Sequence, residues 1–444
     1  MRPLNQKIAG VQAFPGKAAG RWAFAIGFYF LLLLPSFGQE ALRASLSGEA
    51  ALDAQKRAIE NQYYNLKMGD LKLRFQTAIS VEATDNVNYN EKNQQADISV
   101  RPEFDVTAMF PVTDRNTLAL TIGAGYAKYA KTKTRDHFFL TPGSTIGFNI
   151  YAGDFLINLH TQFAYTQDSY QQSEISGAGY GYFQNMTGIN ATWDLNKVIL
   201  TFGVDHEIYS PTQPQFAFQS RVSELVNARA VYLINPTTQL GLQLGVSSTA
   251  FDSKPSYATN HVGTVTNIFR TDQFLSNQKS INFGPYFQSR LSEHLRVTLS
   301  AGYAIYFQEA PSSFSKGGNS ASFYTDIQVQ HAVNARVAYS LNVGHQVRQG
   351  LTTDSVDYYY YRITPTWRVF NDLTLTAPMS IESHTSTGFR AEKYQFWNLG
   401  LSSAYRLSKK LTVTGSYYYR RRDSDLNNSS YVENQLVLDT RYSF

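Results

Sequence analysis

The chain has 444 residues and no cysteine, which excludes a disulfide framework, thiolate metal sites and thiol nucleophiles. Its formal charge of +5 is spread along the chain and leaves no footprint for nucleic acid. Tyr and Phe, at 30 and 29 residues, dominate the apolar set while only 16% of residues are charged, a balance that favours pleated surfaces over helical bundles.

At the N-terminus Arg2, Lys7, Lys17 and Arg21 precede an uncharged run over residues 22–34 and then Pro35, Ser36, Phe37 and Gly38. A basic flank, a short apolar run and small residues form the pattern of a secretory signal cleaved after Gly38. The run, about 13 residues, is short of the roughly 20 that a bilayer-spanning helix needs. Residues 1–38 are therefore predicted to be a signal peptide, and 39–70 a periplasmic leader. Within the leader Leu52, Ile59, Tyr63 and Leu66 recur at helical spacing, which predicts a short amphipathic helix over 47–68.

From Leu71 onward the period changes to two. LKLRFQTAISV sets Leu71, Leu73, Phe75, Ile79 and Val81 against Lys72, Arg74, Gln76 and Ser80, and LRVTLSAGYAIYF, QLGLQLGVS and LTVTGSYYYR repeat the scheme. Such alternation fits strands that are apolar on one face and wet on the other. Eight tight polar turns, such as Thr113-Asp114-Arg115-Asn116 and Asn235-Pro236-Thr237-Thr238, alternate with nine long loops and divide residues 71–444 into eighteen strands. Strands of about 10–14 residues are longer than those of a soluble sandwich and long enough to cross a bilayer at a tilt. The predicted fold is thus all-β, a transmembrane antiparallel up-and-down barrel of about 18 strands. In lipid no sheet edge can stay open, so the first strand, from Leu71 to Thr84, is predicted to close on the last, from Tyr431 to Phe444.

The chain ends LVLDTRYSF, an alternating strand that runs to its final residue. With the signal and the regular hairpins, this ending resembles the outer-membrane β-barrel (porin-like) superfamily. The resemblance implies that Tyr442 and Phe444 form an aromatic assembly signal read by the barrel-assembly machinery; Asp439 stands where a small residue is usual. Asp85-Asn86-Val87 after the first strand is similar more narrowly to the putative β-barrel porin type 2 family, which implies a porin-like barrel in the outer membrane of a Gram-negative bacterium and no specific solute.

Catalytic motifs are absent. The eight His residues show no HExxH spacing, and no GxSxG, Walker or GxGxxG motif occurs. No cofactor and no metal site are predicted. The informative charges lie on the polar face of the strands, which in a wide barrel is the lumen. In the C-terminal third Arg336, Arg348, Arg362, Arg368, Arg406, Arg420, Arg422 and Arg441 take the inner parity, with Glu382 and Asp439 as the chief inner carboxylates. Glu82, Asp97, Glu103, Asp105, Asp205 and Glu207 take it in the first half, against Lys72, Arg74, Arg101 and Arg229. This predicts a basic wall facing a more acidic one, although each inner Arg could instead brace the wall by pairing with a neighbouring carboxylate. Tyr306, Tyr358, Tyr360 and Tyr418 share the inner parity. The functional expectation is a channel for passive or weakly selective diffusion of small hydrophilic solutes, with anion preference and with outer-membrane lipid around it. Polysaccharide export, a surface adhesion or scaffold role, or a barrel-borne hydrolase are the alternatives.

Overall fold

The computed structural model describes residues 64–166, 180–252, 257–262, 265–270, 275, 277–309, 318–348, 350, 355–387 and 391–444. The predicted signal peptide and most of the predicted helix lie outside these residues. The end of the helix expectation is corrected: Leu66–Met68 is a strand, which Gly69 at φ +61° turns back onto the next.

Eighteen strands follow. They are β1 (Leu71–Thr84), β2 (Asp97–Pro111), β3 (Thr117–Tyr129), β4 (His137–Ala152), β5 (Phe155–Thr166), β6 (Tyr182–Asp194), β7 (Val198–Pro211), β8 (Arg221–Asn235) and β9 (Thr238–Phe251). Then come β10 (Gln278–Arg290), β11 (Leu295–Gln308), β12 (Gly318–Ala332), β13 (Val337–Arg348), β14 (Ser355–Arg368), β15 (Leu373–Thr376 and Met379–Thr387), β16 (Lys393–Arg406), β17 (Leu411–Ser424) and β18 (Tyr431–Ser443). Each pairs antiparallel with its chain neighbours, and β18 pairs with β1, so the sheet is a closed barrel. β15 is one strand interrupted at Ala377 and Pro378, where Pro cannot donate to the ladder. Between β9 and β10, Tyr257–Val262 and Val265–Arg270 form a hairpin in a sheet of its own.

Alternation decides which way each side chain points. Ile79, Phe104, Leu242, Tyr303, Trp367 and Leu438 are exposed on the outer face, while Ala78, Asp205, Tyr324 and Tyr358 are buried on the inner one. The molecule therefore inverts the usual arrangement: its apolar belt faces outward and its polar and charged side chains face in.

The seam is fastened at both ends by an asparagine. At the short-turn end Asn65 Oδ1 accepts from Phe75 N at 2.8 Å, and its amide donates to the carbonyl of Phe444. Leu66–Met68 thus covers the edge of β1 below the point where β18 begins to pair, at Gln76 opposite Ser443. At the long-loop end Asn86 is fully buried, and its Nδ2 donates to the carbonyls of Val432 (2.9 Å) and Asn90 (2.8 Å). Beside it the Asp85 carboxylate accepts from Asn434 N at 2.8 Å and Nδ2 at 2.6 Å. Side chains of the Asp85-Asn86 pair so continue the β1–β18 ladder past the last strand residue. Tyr89 packs on Tyr431 behind this latch, and burial, reinforced by the Glu433 charge, pushes its phenol well above the ordinary range.

Candidate functional site: the lumen wall

Every charged residue assigned to the inner parity within a strand takes it in the observed register. The register shifts at Thr238, between Thr121 and Ala124 and between Leu140 and Ser144, and the predicted charges keep their face: Glu103 lies opposite Ala78, Asp205 opposite Gly188, Arg362 opposite Ser380, and Arg441 opposite Ala78. Glu103 and Asp105 both sit on β2 beside the seam, with Glu103 and Arg441 on either side of the small, buried Ala78. Upstream on the same face Arg101 pairs with Glu82 at 2.9 Å.

The arginines of the C-terminal third do not form an uncompensated basic wall. Arg362 pairs with Glu382 at 2.8 Å, Arg420 with Glu433 at 2.8 Å, and Arg422 holds both oxygens of Glu392 at 2.7 and 2.9 Å. Three of the predicted cations are thus braces, as the alternative reading of each Arg allowed. Arg336 is corrected in position, and Arg406 keeps the inner parity at the very end of β16. Arg336 lies in the exposed turn before β13, and Arg406 closes on Asp372 of the neighbouring turn, with Nε 2.9 Å from Oδ1. Both stand at the short-turn mouth instead of along the wall. Arg348 is buried with its guanidinium 4.6 Å from the Tyr358 ring centre, and Arg368 ends β14 at the same mouth as Arg406. The planar guanidinium suits both uses, stacking on rings and gripping carboxylates bidentately.

Inward glycines provide the room for these contacts. His160 on β5 and Asp205 on β7 meet at 2.7 Å across Gly188 of β6. A Cβ on Gly188 would lie 2.1 Å from Asp205 Oδ1 and 2.5 Å from the Val204 carbonyl, so only glycine fits. Gly344 likewise lies beneath Tyr360, whose hydroxyl donates to Asp326 two strands away. The aromatic rings of the inner face follow in sequence, Tyr360 stacked on Tyr358 (4.9 Å), Tyr358 tilted against His384 (4.8 Å) and His384 stacked on Tyr394 (4.3 Å). All four are at most 4% exposed.

Sequence reasoning missed Glu433, Glu392, Asp326, His160 and His384. Parity alone places Glu433 inward, in step with Asp439 and Arg441 further along the same strand. Glu392 precedes β16 in a loop and carries no parity signal. Among the described residues no three His, Asp or Glu side chains come together as a metal site.

No protein-family model and no curated protein matches the chain. Solved structures do. The outer membrane protein opdK from Pseudomonas aeruginosa is 10% identical, with a TM-score of 0.45 over 84% of this chain and 99% of its own. A BenF-like porin from Pseudomonas fluorescens Pf-5 is 11% identical, TM-score 0.48, over 85% and 100%. The outer membrane channel DcaP of Acinetobacter baumannii is 12% identical, TM-score 0.43, over 86% and 100%. At such low identity the likeness is one of architecture alone.

Proposed function

We propose that this protein is an outer-membrane channel for small hydrophilic solutes. The observation that carries the reading is the inverted polarity of a closed eighteen-strand sheet, with an exposed apolar belt outside and charged, hydrogen-bonded side chains inside. Closing the sheet lets its ladders satisfy backbone groups that lipid cannot, and eighteen strands enclose more space than side chains alone fill. In this reading residues 1–38 direct export and are removed, 39–70 remain on the periplasmic side, and the short turns face the periplasm. Tyr442 and Phe444 serve as the address for barrel assembly. Phe444 is exposed and stands edge-on to Tyr442 at 5.2 Å, where a docking surface could reach both rings.

Anion preference is part of the proposal in a weakened form. Besides the pairs of Arg362 with Glu382, Arg420 with Glu433 and Arg422 with Glu392, the inner parity of the C-terminal third carries Arg348, Arg368 and Arg441 against Asp326 and Asp439. Charge on a pore wall biases which ion enters. In planar bilayers under a salt gradient the reversal potential should have the anion-selective sign, and a cation-selective sign would remove this part of the reading. Two alternatives have less support. The stacked tyrosines are too buried to offer ring faces to a passing polysaccharide. A hydrolytic triad at His160 is disfavoured because its ring nitrogens already face Asn158 (3.0 Å) and Asp205 (2.7 Å).

A further inference from the structure

Between β12 and β13 the ladder stops short of both strand ends. The last pair is Thr325 with His345. Beyond it β12 continues to Gly318 paired only with β11, and β13 continues to Arg348 paired only with β14. Along residues 318–324, no described strand pairs with the edge of β12 that faces β13.

The tip of β13 does not splay away from the barrel. Val347 shares its parity with Val343 and His345 and lies opposite Asp357, in step with the exposed Tyr359 and Tyr361, so its side chain points outward from its own strand. Yet it is buried in one cluster with Ala304, Tyr306 and Tyr324, which point inward from β11 and β12. Tyr306 also donates its hydroxyl to the Val347 carbonyl at 2.8 Å. An outward side chain of one strand can meet inward side chains of its neighbours only where the two layers overlap. The wall is therefore lapped here, with β13 passing inside β11 and β12.

The lap has a distinct chemistry. Between its layers lie Ala304, Tyr306, Tyr324 and Val347, and at its outer lip Tyr303 and Phe323, none of them charged. Its lower end is pinned by His345, whose ring sits 4.2 Å from Phe323 of β12 and 4.2 Å from Tyr359 of β14, with Nε2 2.8 Å from Asp357 Oδ1. Where the strands are fully paired, the wall can part only by breaking a ladder of backbone hydrogen bonds. At the lap, apolar contacts, a hydroxyl bond and a tilted ring contact among the described residues stand in place of that ladder. The lip lies level with exposed Tyr303, Phe323 and Tyr359, an aromatic row suited to headgroup depth.

We propose that this lap is a lateral portal, through which an uncharged apolar or amphipathic small molecule passes between the lumen and the outer leaflet. The proposal rests on the membrane-spanning channel reading and adds a second route with a different class of solute. Because the chain has no cysteine, Val347→Cys in the full barrel, reconstituted in lipid vesicles, places a single thiol behind the lap. Two maleimides are compared, an uncharged pyrene derivative carried in the bilayer and a sulfonated one confined to water. The pyrene reagent is itself an apolar guest. It should react at least tenfold faster than the sulfonated one, and His345→Ala, by unpinning the stack, should quicken it severalfold further. Tyr324→Cys reads the opposite surface of the lap and gives the same ordering. Equal rates, faster reaction from water, or no reaction with either reagent would overturn the portal. Ion conductance of the same vesicles separates the two readings. A conducting barrel with those labelling results overturns the portal alone, whereas absence of conductance overturns the channel.

Discussion

Arg362 and Glu382 sit 2.8 Å apart on adjacent strands of the inner wall, and each sets how much charge the other shows to the lumen. Glu382→Gln should shift the reversal potential toward anions and Arg362→Gln toward cations, while the exchanged pair Arg362→Glu with Glu382→Arg should lie near the wild type. If both single variants moved it the same way, the charges would not face the conduction path. The more buried pair, Arg422 with Glu392, bears on stability. Removing one member of a buried pair strands the other charge, at about 3 kcal/mol. Glu392→Gln should therefore lower the urea midpoint of unfolding by an amount corresponding to about that figure, and an unchanged midpoint would contradict the bracing role. Gly188→Ala tests the crowded crossing of His160 and Asp205, with an expected loss of about 1–3 kcal/mol from overpacking in the same assay. At this scale the parity of the predicted charges within strands was legible, because a strand has a fixed period of two. The partners were not. Glu392 belongs to a loop, and which carboxylate meets which Arg depends on register and on the glycines between them.

The elements most in need of explanation are those at the seam. The alternation of LVLDTRYSF made β18 and its pairing with β1 readable in advance, since a strand edge left open along its whole membrane-crossing length would be untenable in lipid. The role of Asp85-Asn86 was not readable, because the groups it satisfies lie some 350 residues away in the chain. Nor was the strand Leu66–Met68, where a local helical spacing yielded to the open edge of β1, which offered ladder bonds that a helix could not fill. Asn86→Ala leaves buried groups near Val432 and Asn90 without their donor, a loss of about 1–3 kcal/mol. It should lower the temperature at which the folded barrel converts to the slower-migrating unfolded form on a semi-native gel, with an exposed loop Asn as the unaffected control. Deleting Phe444 acts at the other end. Membrane assembly should fall while conductance per assembled barrel is retained, and normal assembly of the truncated chain would count against an address at this position.

As a whole the molecule is a sheet rolled until its apolar face is outside, and its function stands or falls on what that geometry permits. The inverted polarity followed from the sequence pattern strand by strand. The lapped stretch of wall did not, because it arises where two strands of correct parity part company, which no periodicity reports. The most direct measurement is swelling of liposomes that contain the correctly folded, inserted barrel, challenged with sugars of graded size. An open eighteen-strand lumen should admit the smallest sugars, with uptake declining steadily as size increases. Failure of every solute to enter, with insertion verified on the same vesicles, would show a barrel that does not conduct and would contradict its assignment as a channel.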